Sequence, residues 1–338
     1  MNIFDLTFEQ LTDYLLSIQQ KKYRSTQIWE FLYRHRVQSF SEMYTLGAPL
    51  IATLEANFTI DYLQPLKTLT DSDGTIKILY QLNDQQKIEC VVLNNAYGYS
   101  LCVSTQVGCN MGCIFCASGQ HKKIRDLQSG EMVSQILSSQ KHLNIDIRSV
   151  VIMGIGEPFD NYQNVLNFIK IINQPKGLEI GIRHITISTC GIIPKIKQFM
   201  QENLQVNLAI SLHASDDKTR TYLMKINQAY PFLDLIASIK EYLDFTKRRV
   251  TIEYILIDHV NDQEEDAHRL INLFKNLNVY FNLIPYNPVT GVNLHPSTRE
   301  TRQNFFNILK KAGIDVTIRN PQGENIEAAC GQLRIKNL

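Results

Sequence analysis

The chain has 338 residues, 44% of them hydrophobic and 20% charged, with a formal net charge of +1. That composition excludes wholesale disorder, and the near-neutral charge means that any polyanion site must be a local basic patch rather than a global field. No apolar run approaches a membrane span, and the opening MNIFDLTFEQ lacks the basic start and apolar stretch of a signal peptide. The expected compartment is therefore the cytoplasm. There the seven cysteines stay mostly reduced, and a cluster of them serves metal binding or chemistry.

Residues 1–60 read as helical: Thr7 and Gln10 have capping-box spacing, and Phe8, Leu11, Leu15 and Ile18 recur on one face. Ser25 and Thr26 are candidate caps of a second helix carrying Ile28, Phe31 and Leu32. Between about 61 and 94 the pattern becomes β-rich, with DSDG (71–74) as a turn between LQPLKTL and IKILYQL.

Beyond this connector, strands alternate with helices. Candidate strands are 101–105, 149–155, 184–188, 206–212, 250–256 and 279–285, and amphipathic stretches occupy 129–142, 162–173, 232–245 and 262–277. Such alternation predicts right-handed βαβ units around a parallel sheet. Six repeats suit an α/β fold of the partial (β/α)6 barrel type, with a doubly wound open sheet as the alternative. The expected organisation is a helical accessory domain (1–60), a β-rich connector (61–94), a core (95–325) and a C-terminal segment (326–338).

GCNMGCIFC places Cys109, Cys113 and Cys116 in one tight loop after the first core strand. Three soft thiolates suit an iron–sulfur cluster and leave one iron of a 4Fe-4S cubane open, where S-adenosylmethionine (SAM) can chelate. Gly108 and Gly112 let the backbone fold closely around such a group. Zinc, with His121 as fourth ligand, is the competing reading.

In a parallel barrel, ligand sites form at the C-terminal strand ends. Gly156 and Glu157, Ser188, Ser211-Leu212-His213 and Asn287 follow or end four different strands, so they should converge on the mouth that holds the cysteine loop. Cys102 lies inside the first core strand and Cys330 near the C-terminus. Taken singly, each reads as a small buried hydrophobe.

The spacing CxxxCxxC, with Phe115 before the last cysteine, resembles the radical SAM superfamily. The stretches LCVSTQVGCNMGCIFCASG, GIGEPFDNY, HITISTCGI, AISLHA, NLIPYNP and IEAACGQL resemble the RlmN/Cfr family of adenine methyltransferases, from about residue 20 to 335. The resemblance implies a radical SAM barrel, a single 4Fe-4S cluster on Cys109, Cys113 and Cys116, and a SAM pocket drawn from Gly156, Glu157, Ser188, Ser211, Leu212, His213 and Asn287.

It further implies that Cys330 carries a methyl group from a first SAM and that a second SAM supplies a radical. Cys102 then resolves a protein–RNA adduct through a Cys102–Cys330 disulfide, and Glu89 is the general base. The implied substrates are adenosine C2 in 23S rRNA and beside the anticodon in tRNA, with C8 methylation as the alternative. A non-catalytic zinc or iron–sulfur RNA-binding protein is the more distant one. The implied partners are a flavodoxin- or ferredoxin-type electron donor and a thiol reductant, with no membrane and a monomeric chain. Candidate RNA-facing basic clusters are Lys122, Lys123 and Arg125; Lys247 to Arg249; and Lys310 with Lys311. Cys90 and Cys190 read as packing residues.

Overall fold

The computed structural model describes residues 1–333; residues 334–338 of the expected C-terminal segment lie outside them. Helix α1 (Phe8–Ser17) starts at the expected capping box, with the Gln10 N–H donating to Thr7 Oγ1 and the Thr7 N–H to Gln10 Oε1. Helix α2 (Tyr23–Glu30) starts before the expected caps. Ser25 is fully buried within it, and its hydroxyl turns back onto the Lys22 carbonyl at 2.6 Å. Ser25 and Thr26 therefore do not cap. A π turn (Phe31–His35) follows, and α3 (Ala48–Asn57) closes the helical region.

Four antiparallel strands come next: β1 (Gln64–Thr70), β2 (Ile76–Gln81), β3 (Lys87–Asn95) and β4 (Gly98–Cys102). The DSDG turn joins β1 to β2, with Gly74 at φ +83° and its N–H donating to the Asp71 carbonyl. A small ladder of β5 (Gln106–Val107) and β6 (Arg125–Asp126) pinches off the cysteine loop.

The alternating part runs α4 (Ser129–Leu143), β7 (Ile147–Ile152), α5 (Tyr162–Asn173), β8 (Ile185–Thr189), α6 (Ile193–Gln201) and β9 (Asn207–Ser211). It continues with α7 (Asp217–Leu223), α8 (Phe232–Thr246), β10 (Val250–Leu256), α9 (Glu264–Phe274), β11 (Val279–Pro285), α10 (Arg299–Lys311) and β12 (Asp315–Ile318).

All ten long-sheet strands form one sheet, in the order β1-β2-β3-β4-β7-β8-β9-β10-β11-β12. From β4 onward every pairing is parallel, which is the expected α/β barrel-type wall. The short strand β12 extends the six expected core strands by a seventh. The first core strand lies earlier than 101–105, because the chain leaves the ladder after Cys102 to reach the cysteine loop. One continuous apolar cluster runs from Phe4 and Trp29 through Ile152 and Ile187 to Phe281, so the helical region packs directly on the barrel wall.

Candidate active site

The cysteine loop is held at its stem by the β5–β6 ladder and by the Cys109 N–H donating to the His121 carbonyl at 2.9 Å. Gly108 has φ +79°, and a Cβ there would lie 2.2 Å from the Lys122 carbonyl oxygen, so the stem closes only around glycine. Cys109, Cys113 and Cys116 all line one cavity. Burial pushes their thiols upward, Cys109 to about 12, so each favours the neutral form without a nearby cation. A cationic metal group offsets that cost and selects the thiolates. Three soft thiolates on one cavity wall are a donor set that fits an iron–sulfur cubane, and His121, the fourth ligand of the zinc reading, is exposed.

Strand ends supply the rest of this cavity: Gly156, Glu157, Ser188, Ser211 and His213 all lie on its wall. Gly156 takes φ +108° against Gln106, whose side-chain oxygen accepts the Glu157 N–H at 2.9 Å. The Glu157 carboxylate is buried and pinned from both sides, accepting from Phe159 N–H (3.0 Å) and Cys190 N–H (2.8 Å). Burial nevertheless raises its pKa, outweighing these bonds. His213 Nδ1 accepts the Ile255 N–H at 3.1 Å, and Phe115 meets its ring edge-on at 4.8 Å. Burial, reinforced by Arg220, drives its pKa down to about 3, so the imidazole is neutral. Ser188 and Ser211 hydroxyls lie 3.4 Å apart.

Two expected pocket residues are placed differently. The Leu212 side chain is fully buried in the apolar core and off the wall, just past the end of β9 where the chain turns left-handed at His213 (φ +56°). Asn287 lines a second, adjoining cavity, where its amide donates to the Cys330 carbonyl at 3.3 Å.

That second cavity contains Cys102 and Cys330 on one wall, both as free thiols. The two cavities share Cys116, Met153, Gly154, Ile284, Arg319, Cys330 and Gly331. Cys330 therefore faces both the cluster loop and Cys102. Burial pushes the Cys102 thiol up to about 12.

Residues 323–333 form a strap over this chamber. At one end Asp73 accepts the Gly323 N–H (2.9 Å) and Asp71 accepts from Asn325, and Lys77 donates to the Glu327 carbonyl (3.1 Å). At the other, the Ala117 N–H donates to the Gly331 carbonyl (2.7 Å) and Ser118 to the Leu333 carbonyl (2.6 Å). Glu89 is buried beside Lys77 at 3.5 Å, two positions along β3 from Val91, which pairs with Cys102. It lies on neither cavity wall.

Comparison with known proteins agrees with this geometry. A model of the radical SAM superfamily matches residues 103–271, and one of the ribosomal RNA large subunit methyltransferase N-terminal domain matches residues 1–60. A probable dual-specificity RNA methyltransferase RlmN of Acholeplasma laidlawii is 49% identical over all of both chains. Its counterpart from Enterococcus faecalis is 50% identical over 100% of this chain and 97% of its own. The chain belongs to the RlmN family of radical SAM RNA methyltransferases. A radical SAM methyltransferase from Sphaerobacter thermophilus superposes with a TM-score of 0.93 at 38% identity, covering 99% of each chain. Radical SAM membership brings a 4Fe-4S cluster and SAM with it, and the three cysteines of the loop are the residues that fit the cluster.

Sequence reasoning passed over three further charged groups of this radical SAM site. Glu253 lies on the cluster cavity wall, with its carboxylate accepting from Asn282 at 2.9 Å and its pKa pushed up to about 7 by burial. A lone acid inside the apolar VTIEYIL was the available signal. Arg220 is fully buried, donating to the Cys190 carbonyl (2.6 Å) and to Asn227 (2.9 Å). Arg319 stands where the two cavities meet. Cys190, read as packing, does line the cluster cavity, while Cys90 is buried against Ser139.

The first basic cluster is largely spent locally. Lys123 pairs with Asp160 (2.7 Å) and Asp126, and Arg125 pairs with Asp84 (2.7 Å) and Glu131 (2.8 Å). No helix among the described residues is long and apolar enough to cross a membrane.

Proposed function

We propose that this RNA methyltransferase acts at C2 of adenosine, in 23S rRNA and beside the anticodon of tRNA, through a methyl group carried on Cys330. The observation that carries the reading is the position of Cys330, on the wall of both the cavity of the three cluster cysteines and the cavity of Cys102. An aromatic ring carbon is too electrophilic for direct polar methyl transfer, so the methyl needs a thiol relay.

Cys109, Cys113 and Cys116 would hold the cluster, which when bound supplies the electron that splits SAM. Cys330, as thiolate, takes a methyl group from a first SAM by substitution at carbon. That methyl would then give one hydrogen atom to the 5′-deoxyadenosyl radical from a second SAM, its carbon would add to C2 and tether the RNA to Cys330, and the ring radical would return one electron to the cluster. Glu89 is our candidate to take the ring proton, and its place on the Cys102 side of β3 supports the assignment. Cys102 thiolate then attacks the Cys330 sulfur. The carbon–sulfur bond breaks, the methylated base leaves, and a Cys102–Cys330 disulfide remains for a two-electron thiol reductant. The cluster's electron would come from a flavodoxin- or ferredoxin-type donor.

The test is anaerobic reconstitution with SAM, followed by mass spectrometry of digested 23S rRNA and tRNA. The expected product is 2-methyladenosine. Exclusive 8-methyladenosine sinks the C2 assignment, and a protein that binds RNA without cleaving SAM sinks the enzymatic reading.

A further inference from the structure

Arg319 follows β12, and its backbone is fixed by its N–H donating to the Leu283 carbonyl at 2.8 Å. Its side chain lies on the walls of both cavities, yet among the described residues its guanidinium makes no hydrogen bond and no ion pair. Five N–H donors in a planar fork, held at a cavity and left without acceptors, are poised for a ligand. The other guanidinium of the site, Arg220, lies on neither cavity wall and already spends both terminal nitrogens, on Asn227 and the Cys190 carbonyl. Cys330 shares both cavity walls with Arg319, and Cys102 shares the second. A ligand taken by the guanidinium there lies beside the thiol pair.

We propose that Arg319 donates a hydrogen bond to a ring nitrogen flanking the reacting carbon of the target adenine, docking the base against Cys330. This rests on the adenosine-C2 reading above. C2 lies between N1 and N3, both of which carry an in-plane lone pair. When carbon adds at C2, electron density shifts onto those nitrogens, and a fixed guanidinium donor stabilises it where it develops. The same contact orients the ring edge toward the Cys330 sulfur.

The experiment is a double-perturbation cycle. Holoenzymes of wild type, Arg319→Lys and Arg319→Gln are compared on RNA carrying adenosine, 1-deazaadenosine or 3-deazaadenosine at the target position, for both RNA Kd and methylation kcat/KM. A hydrogen bond to a charged donor predicts a loss of about 10- to 100-fold for Arg319→Gln on normal RNA. For one of the two deaza RNAs, wild type should lose comparably and Arg319→Gln should lose nothing further. Iron content and SAM Kd should stay within about twofold of wild type, since the contact is to RNA.

Independent, multiplying losses with both analogues overturn the proposal. So does a loss of cluster or SAM affinity in both variants, which marks an architectural role. If wild type leaves normal RNA unmethylated at C2, the adenosine-C2 reading fails and this proposal with it. If wild type methylates C2 but shows no coupling, only the role of Arg319 fails.

Discussion

The side-chain amide of Asn287 reaches across from the end of β11 to donate to the backbone carbonyl of Cys330 at 3.3 Å. A residue expected in the SAM pocket thus also ties the barrel mouth to the C-terminal strap. Replacement by Leu should leave iron content unchanged while loosening Cys330. One neutral hydrogen bond contributes about 0.5–1.5 kcal/mol, which sets an expected two- to tenfold fall in kcat/KM for RNA methylation. An unaltered kcat/KM would show that the amide does not position the strap.

The two thiols should fail in different ways. Cys102→Ala should accumulate protein covalently joined to RNA, since nothing attacks the Cys330 sulfur. Cys330→Ala should give neither adduct nor methylated base. Denaturing gels of reactions with labelled RNA read both outcomes. Normal methylation by Cys330→Ala would refute the thiol relay.

Glu253 gives a pH signature. Burial lifts its pKa from 4.5 to about 7 in the folded chain. A carboxyl with a raised folded pKa is most favourable to folding when protonated, below its unfolded value. That contribution is lost as pH rises from about 4.5 to about 7 and is gone above it. Integrated over the window, the loss is on the order of 3 kcal/mol as an upper bound. Urea unfolding should show wild type less stable at pH 8 than at pH 6, with Glu253→Gln markedly flatter between them. Parallel pH dependence in the two proteins would contradict this.

The turn that carries Asp71 and Asp73 should matter to methyl transfer though it is far from the cluster loop in sequence. Asp71→Ala removes the acceptors for both the backbone and the side chain of Asn325. With both acceptors gone the strap loosens at Asn325, and a fall in methylated RNA of about tenfold is expected. Reductive SAM cleavage, read as 5′-deoxyadenosine without RNA, should persist. Loss of both activities together would mean that the turn supports the whole fold rather than the strap.

What was legible in the sequence was local. Cys109, Cys113 and Cys116 fall within eight residues, and their loop folds as one unit between β5 and β6. Alternation gave the order of the core strands. Within the motif Ser211-Leu212-His213, Ser211 and His213 line the cluster cavity while the Leu212 side chain packs in the apolar core, a split that contiguity does not announce. Arg319 escaped notice because β12 is only four residues long and half exposed, so neither length nor burial pattern announces it. The link from Asp71 to Asn325 spans 254 positions and leaves no local trace. Cys102 and Cys330 were paired only through the family resemblance, because they meet through a β ladder and a strap that spacing does not encode.

The strap from Gly323 to Leu333 follows every other described element along the chain. The hairpin turn and the cluster loop that anchor the strap are synthesised long before it, and Cys330 is added only after every strand of the barrel wall. On the proposed roles, a growing chain can assemble its radical-generating half while it still lacks any acceptor for the methyl group. Docking of one short segment then acts as the final step of maturation, and RNA within reach of an unfinished chain is left unmodified.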